Sequence, residues 1–167
     1  MGTRSGDVDP AVVLYLMSRD DLTIHDMSTL LNKFSGLYGI SGESNDMREL
    51  IALSGKGSQG AGLAIEAFCY RLRKYIGAYL AVLGHVDGLV FTGGIGENAA
   101  IVREKALSGL AKLGFIIDPS RNSEVVGKEG EISTESSRVR IMVMPTNEEL
   151  LIARDTFCAV RGIPFPD

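Results

Sequence analysis

Cysteine, histidine and long apolar runs are all scarce here, and each shortage removes a class of protein. The chain holds two cysteines, Cys69 and Cys158. Neither has a partner at C-x-x-C or C-x-x-H spacing, which argues against a zinc site. With no signal peptide ahead of them, they read as reduced thiols of a cytoplasmic protein. The two histidines, His25 and His85, lie far apart, so no Ser-His-Asp or Cys-His arrangement can be built from them. No apolar run reaches the roughly 18 residues of a membrane span. Positive charge is short as well: 17 Lys and Arg against 21 Asp and Glu leave a net charge of −4. That balance disfavours nucleic acid and membrane surfaces as partners. There is no internal repeat and no low-complexity stretch. Irregular glycine spacing, apolar content and broken periodicity exclude collagen, disorder and coiled coil.

What is present is an ordinary globular composition, 45% hydrophobic and 23% charged over 167 residues, enough for one domain with a real core. Glycine is in excess: 20 residues, about 12% against a usual 7% or so. Such an excess suggests tight turns, or places where backbone approaches a ligand closely.

The opening residues 1–8 read as a Gly-rich loop. Asp9-Pro10 is a strong helix start, a side-chain acceptor followed by Pro at the first helical position, and Val12, Val13, Leu16 and Met17 supply the stripe. A second helix is expected from Asp26 to about Phe34, a loop through Gly36, Gly39 and Gly42, and a short helix over 46–53. One long helix is expected over 59–83, with Leu63, Tyr70, Ile76 and Tyr79 among its apolar residues, Arg71, Arg73 and Lys74 on its solvated side, and Gly84 at its C-cap. Leu89-Val90-Phe91 reads as a buried strand, residues 92–96 as a Gly-rich turn, and residues 98–113 as an amphipathic helix closed by Gly114. Phe115-Ile116-Ile117 reads as a second strand, with Asp118-Pro119 as a stop. Residues 119–137 are polar, with room for a short strand near Ile132. Val139 to Met144 alternates as a third strand, and Thr146 or Asn147 caps a last helix through Val160. The tail 162–166 is not helical. This order argues for an α/β sheet covered by helices.

The strongest local signal is Phe91-Thr-Gly-Gly-Ile-Gly-Glu-Asn-Ala99, between a strand and a helix. Glycines there let backbone approach a ligand, and free amides of the following helix favour negative charge. That combination suits a nucleotide; a tight βα turn without a ligand is the plainer reading. Gly94-x-Gly96-x-x-Ala99 also matches a dinucleotide fingerprint, with Asp118 where the ribose-binding acid would stand. Against it, the motif follows a long helical stretch, and no further crossover helix comes after Asp118. Gly55-Lys56-Gly57-Ser58 lacks the upstream glycine of a Walker A loop. Arg4, between glycines ahead of a helix, could grip a phosphoryl group by bidentate hydrogen bonds, or simply be solvated. Glu148 and Glu149 suit the dipole of a helix start. At the carboxyl edge of a sheet, Glu148 could also hold magnesium through water.

Together, Met1-Gly-Thr-Arg-Ser-Gly-Asp-Val-Asp-Pro10, Ser44-Asn-Asp-Met-Arg48, Lys74-Tyr-Ile-Gly77, Phe91-Thr-Gly-Gly-Ile-Gly-Glu-Asn98 and Pro145-Thr-Asn-Glu-Glu-Leu150 resemble the acetate kinase family over nearly the whole chain. Propionate and butyrate kinases share much of the pattern. The resemblance implies the C-terminal portion of an actin, hexokinase and Hsp70-like (ribonuclease H-like) α/β fold, with residues 1–167 forming a nucleotide-binding domain. It implies phosphoryl transfer between ATP and acetate or another small carboxylate, giving ADP and an acyl phosphate, with magnesium. By the same resemblance Arg4 would neutralise the moving phosphoryl group. Gly93, Gly94, Ile95, Gly96 and Asn98 would line the adenosine site, Asp46, Met47 and Arg48 would flank the adenine and ribose, and Glu148 would help place the metal. Such chemistry needs positioning and charge neutralisation more than covalent help. Family members carry an N-terminal domain that this sequence does not match, so the expectation is a fragment, inactive alone and a homodimer. Two other readings stay open: an NAD-binding Rossmann-type oxidoreductase domain, and a non-catalytic dimerisation module.

Overall fold

The computed structural model describes residues 1–164. The helices are α1 (Pro10–Arg19), α2 (Ile24–Lys33), α3 (Gly36–Ser41), α4 (Met47–Gly55), α5 (Gln59–Leu83), α6 (Gly93–Asn98), α7 (Ala100–Leu107), α8 (Pro119–Glu124) and α9 (Glu148–Arg161). The strands are β1 (Gly88–Phe91), β2 (Gly130–Glu131) and β3 (Arg140–Val143). They form one sheet in the order β1-β3-β2. β1 and β3 run parallel, with Leu89 opposite Ile141 and Phe91 opposite Val143; β2 is antiparallel to β3.

Most helix starts follow from local chemistry. Asp9 accepts from Ala11 N and is followed by Pro10. Thr23 and Asp26 form a reciprocal capping box that starts α2 at Ile24, two residues before the expected Asp26. Ser58 caps α5, and Gly84 closes it, so the 59–83 expectation holds at both ends. The face of α5 that reaches the core, however, is the small one: Ala61, Ala64, Ile65 and Cys69. Tyr70 and Tyr79 are exposed. Small residues win because α3, α4 and α7 all lie against this helix. At Gly60 an added Cβ would come 2.5 Å from the Ser41 carbonyl oxygen, so only glycine permits that approach. Arg71 and Arg73 are half-buried, not solvated. Arg71 pairs with Asp7, and Arg73 donates to the carbonyls of Ala106 and Lys105 at the end of α7.

Two apolar clusters make the core. One joins α3, α4, α5 and α7 around Leu50, Ala61, Ala64 and Val102. The other lies under the sheet around Phe91, Phe115, Ile132, Ile141 and Val143. Leu72 packs against both, which makes the molecule continuous through α5.

Several expectations are corrected. Gly36–Ser41 is a helix rather than a loop, because Leu37 and Ser41 are buried there. Where a Gly-rich turn over 92–96 is expected, Gly93–Asn98 forms a short helix. The 98–113 helix breaks after Leu107, where Gly109 takes a positive φ. Within β1, an edge strand of the sheet, only Phe91 is buried, and Val90 is 44% exposed. Phe115-Ile116-Ile117 has no ladder, only a bridge from Ile117 to Ser133; the short strand is Gly130–Glu131. Asp118-Pro119 starts α8 instead of stopping a strand. Asn147 is the residue that caps α9. Of the tail, Phe165 and Pro166 lie outside the described residues. No helix among the described residues is long and apolar enough to cross a membrane.

Candidate functional site

β1 and β3 are parallel neighbours, and each runs into a helix at its carboxyl end: β1 into α6 through Thr92, β3 into α9 through residues 144–147. Met144 N donates to Phe91 O at 2.9 Å, so the two turns leave the sheet side by side. Ligands of α/β proteins gather at this edge.

Two cavities lie there. The larger, about 760 Å³, is walled by Asn45, Asp46, Met47, Arg48 and Ile51 from α4 and its cap, and by Gly94, Ile95, Asn98 and Ala99 from α6. The smaller, about 450 Å³, is walled by Gly93, Gly94 and the Thr146–Glu149 turn. Gly94 borders both. An added Cβ there meets nothing within 4 Å, so the residue is small beside open space rather than against packing.

The polar wall of the larger cavity is set by charge pairing. Asp46 caps α4 by accepting from Arg48 N at 2.8 Å, and its carboxylate also receives the Arg48 guanidinium at 2.6 Å. The side-chain bond from Arg48, with the backbone bond behind it, holds the Asp46 carboxyl down at about 2. Asn98 Nδ2 donates to Gly94 O at 2.9 Å, which fixes the amide beside the Gly-rich turn. Ile51 and Ile95 add apolar surface.

The expected residues are thus largely brought together. Asp46, Met47, Arg48, Gly94, Ile95 and Asn98 share the larger cavity, while Gly93 and Glu148 share the smaller. Gly96 lines neither; it packs on Phe91, where a Cβ would stand 3.3 Å from the Phe91 carbonyl carbon. Arg4 lines neither. It is exposed on a loop that is not free: Ser5 N bonds Leu31 O, Ser35 N bonds Thr3 O, and Tyr38 N bonds Gly2 O. Gly2 lies against Asn45, a wall residue of the larger cavity. The first amide of the Gly-rich turn is also not free, since Gly93 N donates to Glu97 Oε1 at 2.8 Å. Glu148 is exposed in the first turn of α9, and no group of three or more acidic, His or Cys side chains could hold a metal among the described residues. A single carboxylate leaves the remaining positions to water and phosphate oxygens, which is how magnesium is commonly held.

Three residues are not legible from the motifs. Ile51 adds to the apolar wall. Glu97 joins the two turns. Arg103 is fully buried and donates five hydrogen bonds, to Gly96 O, Glu97 O, Asn122 Oδ1, Asn122 O and Val125 O. Only Glu97 offers a hint in sequence, standing one helical turn after Gly93. Asp118, the residue on which a ribose-binding role depended, spends its carboxylate on Ser120 N and Arg121 N. Phe115-Ile116-Ile117, the expected next strand, does not pair with β1 as a dinucleotide fold requires.

Parallel strands feed two helix-opening turns with a cavity between them, an α/β ligand edge, and the likeness to solved acetate kinases makes the fold one of the actin, hexokinase and Hsp70 kind. The Acetokinase family model matches residues 1–154, and the chain belongs to the acetokinase family. It is 52% identical over 157 residues to the acetate kinase of Caldicellulosiruptor bescii, covering 93% of this chain and 39% of that protein. Among solved structures, Porphyromonas gingivalis acetate kinase superposes with a TM-score of 0.89 at 46% identity, over 96% of this chain and 40% of that one. A Francisella tularensis propionate kinase superposes at 0.84 and 47% identity, over 92% and 38%. The chain therefore spans about two-fifths of the length of the relatives it matches.

Proposed function

We propose that residues 1–167 are the C-terminal, nucleotide-binding domain of a phosphotransferase that moves phosphate between ATP and acetate or a close short carboxylate, giving ADP and an acyl phosphate. The observation that carries this reading is Gly94, the residue common to two adjoining cavities. The larger has the size of a small-molecule pocket and would take adenosine, with Asp46, Met47 and Arg48 on one side and Ile95 and Asn98 on the other. The smaller would take the phosphate tail, with Glu148 holding a water-shelled magnesium that neutralises phosphate charge. Arg4 would meet the transferring group from the stapled opening loop. The acyl group stays open between acetate and propionate, since relatives bearing both names match. Homodimeric state and a cytoplasmic, reducing location complete the proposal; two free, buried cysteines suit that compartment.

The test is calorimetric titration of the chain with MgATP, alongside Gly94→Val. Wild type should bind, and the variant should lose about tenfold or more in affinity while unfolding at the same temperature, because the added side chain enters open space. Absence of binding heat from wild type, or equal binding by the variant, would overturn the assignment.

A further inference from the structure

We infer that Glu97 is a positioning residue that ties the two turns of the site together at a fixed separation. One carboxylate oxygen, Oε1, accepts three hydrogen bonds: from Gly93 N at 2.8 Å, from Thr146 N at 2.9 Å and from Thr146 Oγ1 at 3.2 Å. Gly93 opens the turn after β1; Thr146 lies in the turn after β3, 49 residues from Glu97 along the chain. Two of the three donors are backbone amides, so the bonds fix main chain rather than side-chain rotamers. A carboxylate acceptor makes such bonds shorter and roughly twice as strong as neutral ones.

Glu97 is itself anchored. Its carbonyl oxygen accepts from Arg103 Nη1 at 3.0 Å and from Gly127 N at 3.1 Å. Arg103 in turn holds α8 through Asn122 and Val125. The connection therefore runs from a buried guanidinium to a half-buried carboxylate and on to both turns. A Gly-rich turn needs no such tie to form: a helix start can satisfy its first amide with water or a neutral cap. The link to Thr146 is what a plain cap would not supply.

The functional consequence rests on the nucleotide reading above. Gly94 follows Gly93 and borders both cavities, and Glu148 stands two residues after Thr146 in the wall of the smaller. Glu97 thus sets how far the nucleotide's turn stands from the carboxylate assigned to magnesium. Misplacement by about 1 Å can cost on the order of 100-fold in a reaction that depends on positioning.

The experiment uses the chain with Glu97→Asp, whose shorter arm cannot span both turns, and Glu97→Gln, which keeps length and acceptor but not charge. Amide hydrogen exchange without nucleotide should accelerate at Gly93 and Thr146 together, by about tenfold or more in the aspartate variant, with the core amides of Cys69 and Val102 unchanged. The glutamine variant should show the same paired change at smaller amplitude, and it carries the test if the aspartate variant does not fold. Titration with ATP is then run in magnesium and in EDTA. Wild type should bind more tightly with magnesium; the aspartate variant should lose that gain while its affinity in EDTA shifts less than about threefold. Acceleration at only one turn, or an intact magnesium gain, would overturn the inference. If wild type binds no ATP in either buffer, the nucleotide reading fails, and the exchange result alone decides whether Glu97 ties the turns.

Discussion

Asp46 is kept ionised by donors rather than by burial, and that has a measurable sign. Its carboxyl sits at about 2 because Arg48 donates to it from both side chain and backbone, against an ordinary value near 3.9. A group lowered on folding stabilises the native state above its unfolded value and stops doing so as pH falls through the folded one. The contribution should therefore be complete above about pH 4 and vanish as the pH passes below about 2. Carbon-detected NMR of the side-chain carboxyl should give that low midpoint, and Arg48→Ala should raise it toward the ordinary range. An unmoved midpoint in the variant would show that Arg48 is not the cause. At this scale, what was readable is what is local. Asp46 and Arg48 are two positions apart, and Gly93, Gly94 and Asn98 fall within one motif. Arg103 bonds Asn122, 19 residues away, and no spacing rule announces it.

Between elements, α5 comes close to α3 at Gly60. Glycine inside a helix ordinarily costs about 1 kcal/mol relative to alanine, so Gly60→Ala should stabilise on propensity alone. The Ser41 carbonyl at 2.5 Å from the added carbon reverses the sign. We expect a net loss of about 2 kcal/mol, the range of overpacked cores, in urea unfolding; equal or higher stability would refute the packing argument. The same tension explains the misread elements. α3 and α6 are rich in glycine, which suggests turns or loops; burial of Leu37 makes α3 a helix despite it, and α6 forms without a side-chain cap from Thr92. Asp9-Pro10 and Asp118-Pro119 carry one signal, an acceptor cap and then Pro, and both open helices. The second is obscured because the five residues after it, 120–124, are polar and show no stripe. α5 was legible end to end because Ser58 and Gly84 are local markers, while its buried face was not, since three neighbouring helices choose it.

At the scale of the whole molecule, large apolar side chains among the described residues stand open at the end of α5, where Val82 is 80% exposed, on α9, where Val160 is 79% exposed, and on α1 and α2 at Leu14 and Ile24. Open apolar patches of this kind associate. Sedimentation at increasing concentration should show a dimer, and a monodisperse monomer would remove the homodimer from the proposal. The general α/β layering was legible from the alternation of strands and helices, but the sheet order was not, because pairing of β1 with β3 joins residues 52 apart in number, Gly88 with Arg140. Arg103 has a last consequence at this scale. Its positive charge is balanced by carbonyl and amide oxygens near the ends of α6 and α8, with no carboxylate among its five acceptors. Dissolved ions screen exposed pairs such as Arg140 with Glu131 but hardly reach a buried one. The framework behind the Gly-rich turn should therefore hold in strong brine, after the molecule's outer ion pairs have ceased to contribute.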